Sequence, residues 1–555
     1  MTNIFELSHA AVDEFAARNP TTATAYGLEG HDDRWDDLSP AGVVAQRAFF
    51  ADLAGQARAC EAVSRRDEVA TRVLLDECEL AIARIDQGDW KADVNNIVSP
   101  WQGIRLTFDS APKATLANWH DLLTRLETID EALASYRAAL QAGLDEGRVA
   151  SARQVRAAID QGRQAAGDGS SFDGLRAEWD DSSLADEHPE IATRLDAGIA
   201  AAKAAYGAMT DWFEAMYLPA APEADGVGTD RYVRSASQFL GTTIDPEATY
   251  AWGWGEIARI SEALVAACAK IDRDASVDDV LHLLTSDPER AAADVDEFIA
   301  IMQARQSTAM EALDGVHFDI DPRIRTLEVV TAPPGGAAAP YYTGPSEDFS
   351  KPGRVWYPVD GRDSFPLYEE IATAYHEGLP GHHLQIGAQT TMGDELSRYH
   401  KLLVWYPGSG EGWALYAEHL MGELGHYEKP DYEVGLLMSQ MMRSCRVVID
   451  IGLHCGFAIP DDAPFHPGEA WTYELAVEMM TDVAHVAPAM AESEIVRYLG
   501  WPGQAISYKV GERAILDLRA EVQARGDFDL KAFHSTVLGC GSIGLDLLRE
   551  LVLTA

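Results

Sequence analysis

The stretch PLYEEIATAYHEGLPGHH, residues 366–383, places three histidines and a glutamate within eight residues, around a Pro–Gly pair. Asp363 or Ser364 can cap a helix whose first turn holds Pro366, with Leu367, Ile371 and Ala374 on its inner face. That helix delivers His376 and Glu377. A zinc-protease helix sets two histidines at i and i+4 beside one metal, with a glutamate at i+1 reaching the water. Here position i+4 is Pro380, and the second imidazole comes at i+6, His382, or at i+7, His383. The Pro–Gly pair must bend or bulge the helix. A bulge would return His382 towards His376, whereas an unbroken helix would favour His383, since seven residues are nearly two turns. The spacing leaves both open.

Outward from this stretch the pattern is helical in both directions. Between Thr115 and Gln164, Leu116, Trp119, Leu122, Leu123, Leu126, Ile129 and Leu133 recur at three- and four-residue intervals. Similar spacing runs from Glu6 to about Leu313. Val316, Phe318 and Ile320 then alternate with His317, Asp319 and Asp321. With Arg325 to Val330 they predict two short extended segments around the turn Asp321–Pro322. Pro333, Pro334, Gly335, Gly336 and Pro340 predict a loop, and extended chain returns at Val355, Trp356 and Tyr357. The expectation is one large, mainly α domain over residues 1–555. It comprises a helical half over 1–313, a β insert over 314–362 with its extended segments near 316–360, and a metal-site helical half over 363–555.

Composition restricts the function. The 555 residues are 47% hydrophobic and 24% charged, and 44 basic against 89 acidic side chains leave a net charge of −45. Such a surface repels phosphate backbones and anionic membranes, which argues against nucleic-acid or membrane partners. No apolar run approaches the roughly 20 residues that span a bilayer. The first basic residue is Arg18, so a secretory signal is not expected, and six cysteines without CxxC pairing read as thiols. These features predict a cytoplasmic protein.

Three further helices add chemistry. Gly408–Ser409–Gly410 reads as a flexible lead-in to a helix on which Glu411 and Glu418, seven apart, share an apolar face with Leu415. They suit a metal ligand and the acceptor that orients a ligand, although Glu411 alone could be a helix cap. The helix from Tyr432 to Gly456 is apolar except for Arg443, Arg446, Asp450 and His454, which fall in one stripe. Arg446 could grip a carboxylate in bidentate fashion, and His454 could donate to an oxyanion. Tyr508, at the start of the next helix, could do the same or simply pack. The motif Gly539–Cys540–Gly541–Ser542–Ile543–Gly544 satisfies GxGxxG, but only 11 residues follow it, so it predicts a turn and not a dinucleotide site.

At these residues the chain resembles the bacterial domain of unknown function 885 family. The resemblance rests on four blocks: His376–Glu377 to Pro380–Gly381–His382–His383–Leu384–Gln385, Glu411 to Glu418, Asp450 to His454, and Gly503 to Tyr508. That family in turn resembles the helical zinc oligopeptidases of the thimet oligopeptidase and angiotensin-converting enzyme type. The resemblance implies a large helical zincin-like fold with a deep cleft. It implies His376, His382 and Glu411 as metal ligands, Glu377 as general base, and His454 and Tyr508 as stabilisers of a tetrahedral intermediate. The implied metal is zinc, although His and carboxylate ligands also suit manganese, cobalt or iron. Two extra residues between the histidines depart from the peptidase motif.

The expected function is therefore metal-dependent hydrolysis of short peptides or related small amides. Arg446 would orient substrate, and the segment Val355–Tyr357 would pair with its backbone. The alternative is a non-catalytic metal or peptide binder whose site has decayed at Pro380. A paired carboxylate–His iron site needs two Glu-x-x-His motifs, and only Glu423–Leu424–Gly425–His426 is present.

Overall fold

Helices begin in this chain where a side chain can accept from the free N–H groups of the first turn. Ser39, Ser64, Thr115 and Asp245 do this for helices Pro40–Ala59, Arg65–Gln87, Leu116–Glu127 and Pro246–Ile271. The computed structural model describes residues 3–333 and 339–554. It is mainly α, and its contacts divide the chain into two compact units. The first stretch of the chain belongs to one unit as far as Asp225.

The first unit is Met1–Asp225 with Ser397–Leu403 and Leu499–Trp501. Helices Leu116–Glu127, Ile129–Glu146, Ala152–Ala166 and Pro189–Trp212 turn their apolar faces into one core. Trp119 meets Trp179 edge-on at 5.1 Å there, and Trp101 lies against Tyr206 at 4.5 Å. Full burial of each such side chain contributes about 1.5–3 kcal/mol. Arg125 is buried too, and its guanidinium donates to the carbonyls of Pro20, His31 and Arg34 at 3.0–3.1 Å.

The second unit is Gly226–Leu396, Val404–Tyr498 and Pro502–Ala555. Its helices that matter below are α1 (Thr229–Leu240), α2 (Pro246–Ile271), α3 (Val295–Leu313), α4 (Glu370–Glu377), α5 (His382–Thr391), α6 (Pro407–Glu423), α7 (Pro430–Cys455), α8 (Pro488–Gly500) and α9 (Ser507–Ala524). A three-stranded sheet joins β1 (Leu327–Thr331), β2 (Tyr341–Thr343) and β3 (Gly353–Tyr357) in the order β1–β3–β2. The strand β3 is parallel to β1, pairing Val329 with Val355, and antiparallel to β2, pairing Tyr341 with Trp356. The helices α2 and α7 pack along their lengths, as do α6 and α9.

Several local expectations are corrected. Val316, Phe318 and Ile320 form no strand, because the N–H groups of Val316, His317 and Phe318 all turn back to the carbonyl of Leu313. Gly315, at φ +75°, makes that turn, and Val316 stays exposed. The helix α4 starts at Glu370 without help from Asp363 or Ser364, since Phe365–Pro366 instead pairs with Ala291–Ala292 and Phe365 stacks on Phe298. Gly408–Ser409–Gly410 is no flexible lead-in but the buried first turns of α6. Of the expected loop, Pro334, Gly335 and Gly336 lie outside the described residues. The GxGxxG motif is a turn between helices Leu530–Gly539 and Leu545–Leu553. All six cysteines are free, and no described helix is long and apolar enough to cross a membrane.

The glycines of α6 show why. A Cβ on Gly412 would stand 2.5 Å from the backbone carbon of Gly511 on α9, and one on Gly408 would stand 2.9 Å from Leu240 Cα on α1. Gly412→Ala is therefore expected to destabilise the protein by about 1–3 kcal/mol or more through forced separation of α6 and α9. Gly55→Ala, on an exposed helix face with nothing within 4 Å, should stabilise by up to about 1 kcal/mol. Denaturant midpoints of the two variants check both signs.

Candidate metal centre and active site

Between α4 and α5 the chain folds back over Gly378–Gly381, a loop with a cis Leu379–Pro380 bond. Gln306 of α3 holds it, donating to Ala374 O at 2.6 Å and accepting from Leu379 N at 2.9 Å. Trp413 of α6 donates to Pro380 O at 2.9 Å, and Gly381 N–H donates to Tyr375 O at 3.0 Å. A Cβ on Gly381 would lie 1.9 Å from His376 O, so this return requires glycine. The two residues beyond zincin spacing are absorbed here, and the rings of His376 and His382 end 4.9 Å apart.

Three donors converge. Glu411 Oε2 lies 3.3 Å from His376 Nε2 and 3.4 Å from His382 Nε2. A tetrahedral ion with ligand bonds of roughly 2.0–2.1 Å separates its ligand atoms by about 3.3 Å, so this donor set fits a metal such as zinc. Glu377 Oε1 stands 4.0 Å from His376 Nε2, beyond hydrogen-bond reach, yet one ligand atom each of His376, Glu377 and His382 lies within 4.8 Å of the others. The electrostatics of the site favour positive charge among these carboxylates. Burial opposes charge on His376, but Glu411 and Glu418 outweigh it and push its pKa up to about 10. Burial opposes charge on Glu411 as well, and the two imidazoles overcome it and hold its carboxyl low. At Glu377 burial prevails: it raises the pKa although His376 and His382 pull the other way.

Behind the donors, His376 Nδ1 meets Glu418 Oε1 at 2.7 Å, and Ser439 donates to Glu418 Oε2 at 2.8 Å. Glu418 is fully buried, with Arg443 Nη2 at 3.9 Å. His383 is not available as a ligand. Its Nε2 donates to Ile324 O at 2.8 Å, its Nδ1 accepts from Tyr342 at 2.9 Å, and burial lowers its pKa to about 4.

A cavity of about 700 Å³ opens on His376, Glu377, His382, Glu411, Arg446 and Tyr508. The Tyr508 ring stacks on His376 at 6.4 Å, and burial raises its pKa, so the hydroxyl stays a donor. Arg446 Cζ lies 4.8 Å from the Tyr508 ring centre. Its expected bidentate grip is already taken, because Nε donates to Tyr498 and Nη2 to Glu494, both at 2.8 Å.

His454 is a correction. It sits two turns beyond Arg446, about 12 Å along α7, and does not line the cavity. Its ring stacks on Tyr232, with Nε2 3.0 Å from Tyr498 O and 3.6 Å from Asp450 Oδ1. Asp450 accepts from Tyr232 and Gly503 N–H, and burial raises its pKa to about 7. That part of the stripe stabilises α7 against α1 and the turn before α9. The Glu423–His426 motif is likewise structural, with Glu423 paired to Arg519 at 2.7 Å.

Sequence reading missed Gln306, Ser439, Glu494 and Trp405. Ser439 could have been found one turn before Arg443 on the same stripe. Gln306 was visible only as a polar residue on the buried face of α3, between Met302 and Ala309. Trp405, whose ring lies 6.3 Å from His382, and Glu494 carry no local signal.

Burial would raise the Glu494 carboxyl, but Arg446 and Arg497 hold it down to about 2. A depressed pKa stabilises the fold above the unfolded value near 4.5 and loses that contribution as pH falls towards 2. Glu494→Gln is expected to cost on the order of 3 kcal/mol near neutral pH. That difference from wild type should shrink between pH 5 and pH 2, in roughly the range where the Glu494 carboxyl protonates, first in the unfolded and then in the folded state. Denaturant titrations at stepped pH check it.

Comparison with known proteins adds the wider relationship. A solved structure from Colwellia psychrerythraea, described as a "putative lipoprotein", superposes with a TM-score of 0.87 at 24% identity, covering 99% of this chain and 98% of that one. A second from Shewanella oneidensis, described likewise and as of unknown function, gives 0.77 at 21% identity over the whole of both chains. Those superpositions show a shared fold. No protein of curated function matches the sequence. The family described as "Bacterial protein of unknown function (DUF885)" matches residues 20–552, and the chain belongs to that family.

Proposed function

We propose that this chain is a metal-dependent hydrolase of short peptides or related amides, with zinc as the metal. The observation that carries the reading is the convergence of His376 Nε2 and His382 Nε2 on Glu411 Oε2, beside the Glu377 carboxylate on a cavity wall. The resemblance of its family to the helical zinc oligopeptidases, noted from the sequence, is in keeping with it. His376, His382 and Glu411 would hold a divalent ion, which when bound would supply Lewis acidity towards a carbonyl and a water.

The chain's own groups do the rest. Glu377 takes the proton of the attacking water and passes it to the leaving amine. Its raised pKa suits a base that must later act as an acid. Tyr508 donates to the carbonyl oxygen as negative charge develops. Glu418 fixes the His376 ring so that Nε2 faces the site. Substrate backbone pairs with β2, in place of the expected Val355–Tyr357, because β3 is paired on both sides whereas β2 has a free edge among the described residues. Pro340, Tyr341 and Tyr342 line the same cavity.

Elemental analysis should find about one zinc per chain, lost in His376→Ala and in Glu411→Ala. Glu377→Gln should keep the metal and lower turnover by roughly 10²–10⁴-fold in a peptide-library assay. Unchanged turnover in that variant would remove Glu377 as the base, and metal binding without turnover by wild type would favour the non-catalytic binder. Glu418→Gln should weaken metal affinity by about 10–100-fold, measured by competition with a chelator. The working compartment is the cytoplasm, and the lipoprotein description of the two similar structures makes the cell envelope the alternative that fractionation decides.

A further inference from the structure

The cavity wall built by α7 departs from the acidic character of the chain. It presents Met438, Met442, Arg443 and Arg446. Behind Arg446, two guanidinium groups share one carboxylate. Arg497 donates to both oxygens of Glu494 at 2.7 and 2.9 Å, while Arg446 Nη2 and the Tyr498 hydroxyl crowd Oε2 at 2.8 and 2.7 Å. Glu494 is saturated, and this group of three charges keeps a net positive one. Arg446 Nε is committed to Tyr498. Its Nη1 has no partner among the described residues, and the residue lines the cavity. A buried guanidinium stays charged, and an open N–H on it favours an anionic acceptor.

The position of that N–H limits the substrate. Arg446 Cζ is 4.8 Å from the Tyr508 ring, which is 6.4 Å from the His376 ring. The guanidinium therefore lies no farther from the His376 ring than these two steps combined. Extended chain advances roughly 3.3–3.6 Å per residue, so at most about three residues fit between the metal ligands and Arg446. Met438, Met442, Val486 and Met490 add apolar surface to the same cavity.

We propose that Arg446 receives the free C-terminal carboxylate of the substrate, so that the enzyme removes one to three residues from the C-termini of short peptides. The cleavage part rests on the peptide-hydrolase reading above, and the carboxylate site does not. The test is calorimetric titration of Glu377→Gln protein, in zinc-containing buffer, with three N-acetylated tripeptides. One ends in leucine as the free acid, one in leucine amide, and one in glutamate amide.

The acid is expected to bind at least ten times tighter than either amide, and Arg446→Gln to erase that preference. Equal binding of acid and leucine amide would overturn the proposal, as would no binding of any probe or a preference that survives Arg446→Gln. Tight binding of the glutamate amide would overturn it too, by assigning Arg446 to an acidic side chain. Should Arg446→Gln fail to fold, the acid–amide comparison in the Glu377→Gln protein decides alone. Acid-selective binding with no turnover by wild type would keep the carboxylate site and remove the hydrolase. Equal turnover of acid and amide would do the reverse.

Discussion

Backbone contact between α6 and α9 is the constraint on which the site depends. Where Gly412 passes Gly511 neither helix carries a side chain, and Gly511 also leaves room for the Gly408 carbonyl. Helices that meet through larger side chains stand 8–10 Å apart, and glycines let them come closer. Glu411 precedes Gly412 by one residue and Tyr508 precedes Gly511 by three, so this crossing sets a carboxylate and a phenol on the same cavity. Gly378–Gly381 plays the matching role for the two histidines. In both places the chemistry is carried by residues beside glycines, and the glycines supply proximity.

The second theme is the cost of burying charge. Glu411, Glu418 and Glu377 crowd around His376 with Arg443 as the nearest guanidinium, at 3.9 Å from Glu418. Isolated carboxylates would be expensive to place there, and each is matched to a donor or left to have its pKa raised. Glu411 is held ionised by two imidazoles, Glu418 by Arg443, His376 and Ser439 together, and Glu377 is pushed towards the neutral form by burial. Three neighbouring carboxyls thus have three environments, which is how one small volume can hold both a ligand and a base. Arg446, which shares Glu494 with Arg497, lines the same cavity and brings positive charge to it.

Much of this was legible in the chain. His376, Glu377, Glu411 and Glu418 could be singled out because a helix repeats every 3.6 residues, so spacing alone puts Glu411 and Glu418 on one face. The stripe on α7 was visible for the same reason, but periodicity reports angle and not depth. Arg446 reaches the cavity, whereas His454, at a similar angle two turns on, packs against Tyr232. The alternation at Val316–Ile320 was misread because period two is shared by strands and by turns that bury every second side chain. In the first unit, the spacing of Trp119, Leu122 and Leu126 sufficed, since amphipathic helices need only a common core.

By itself the sequence determined the helical architecture, the residues with metal-binding chemistry, and the membership of a bacterial family, all properties of local periodicity and residue type. Spacing left His382 and His383 open and the family resemblance favoured His382; that His382 lies beside His376 is a tertiary outcome. That choice depends on Gln306, Trp413 and Gly381 folding the loop back, and on Ile324 and Tyr342 occupying both nitrogens of His383. The tertiary structure also decided that Val355–Tyr357 is paired on both sides while Tyr341–Thr343 is an edge strand, and that Arg446 Nε and Nη2 are committed while Nη1 has no partner among the described residues. These outcomes are contacts between segments tens to hundreds of residues apart. No local pattern encodes them, because each depends on where a distant backbone carbonyl or carboxylate comes to rest.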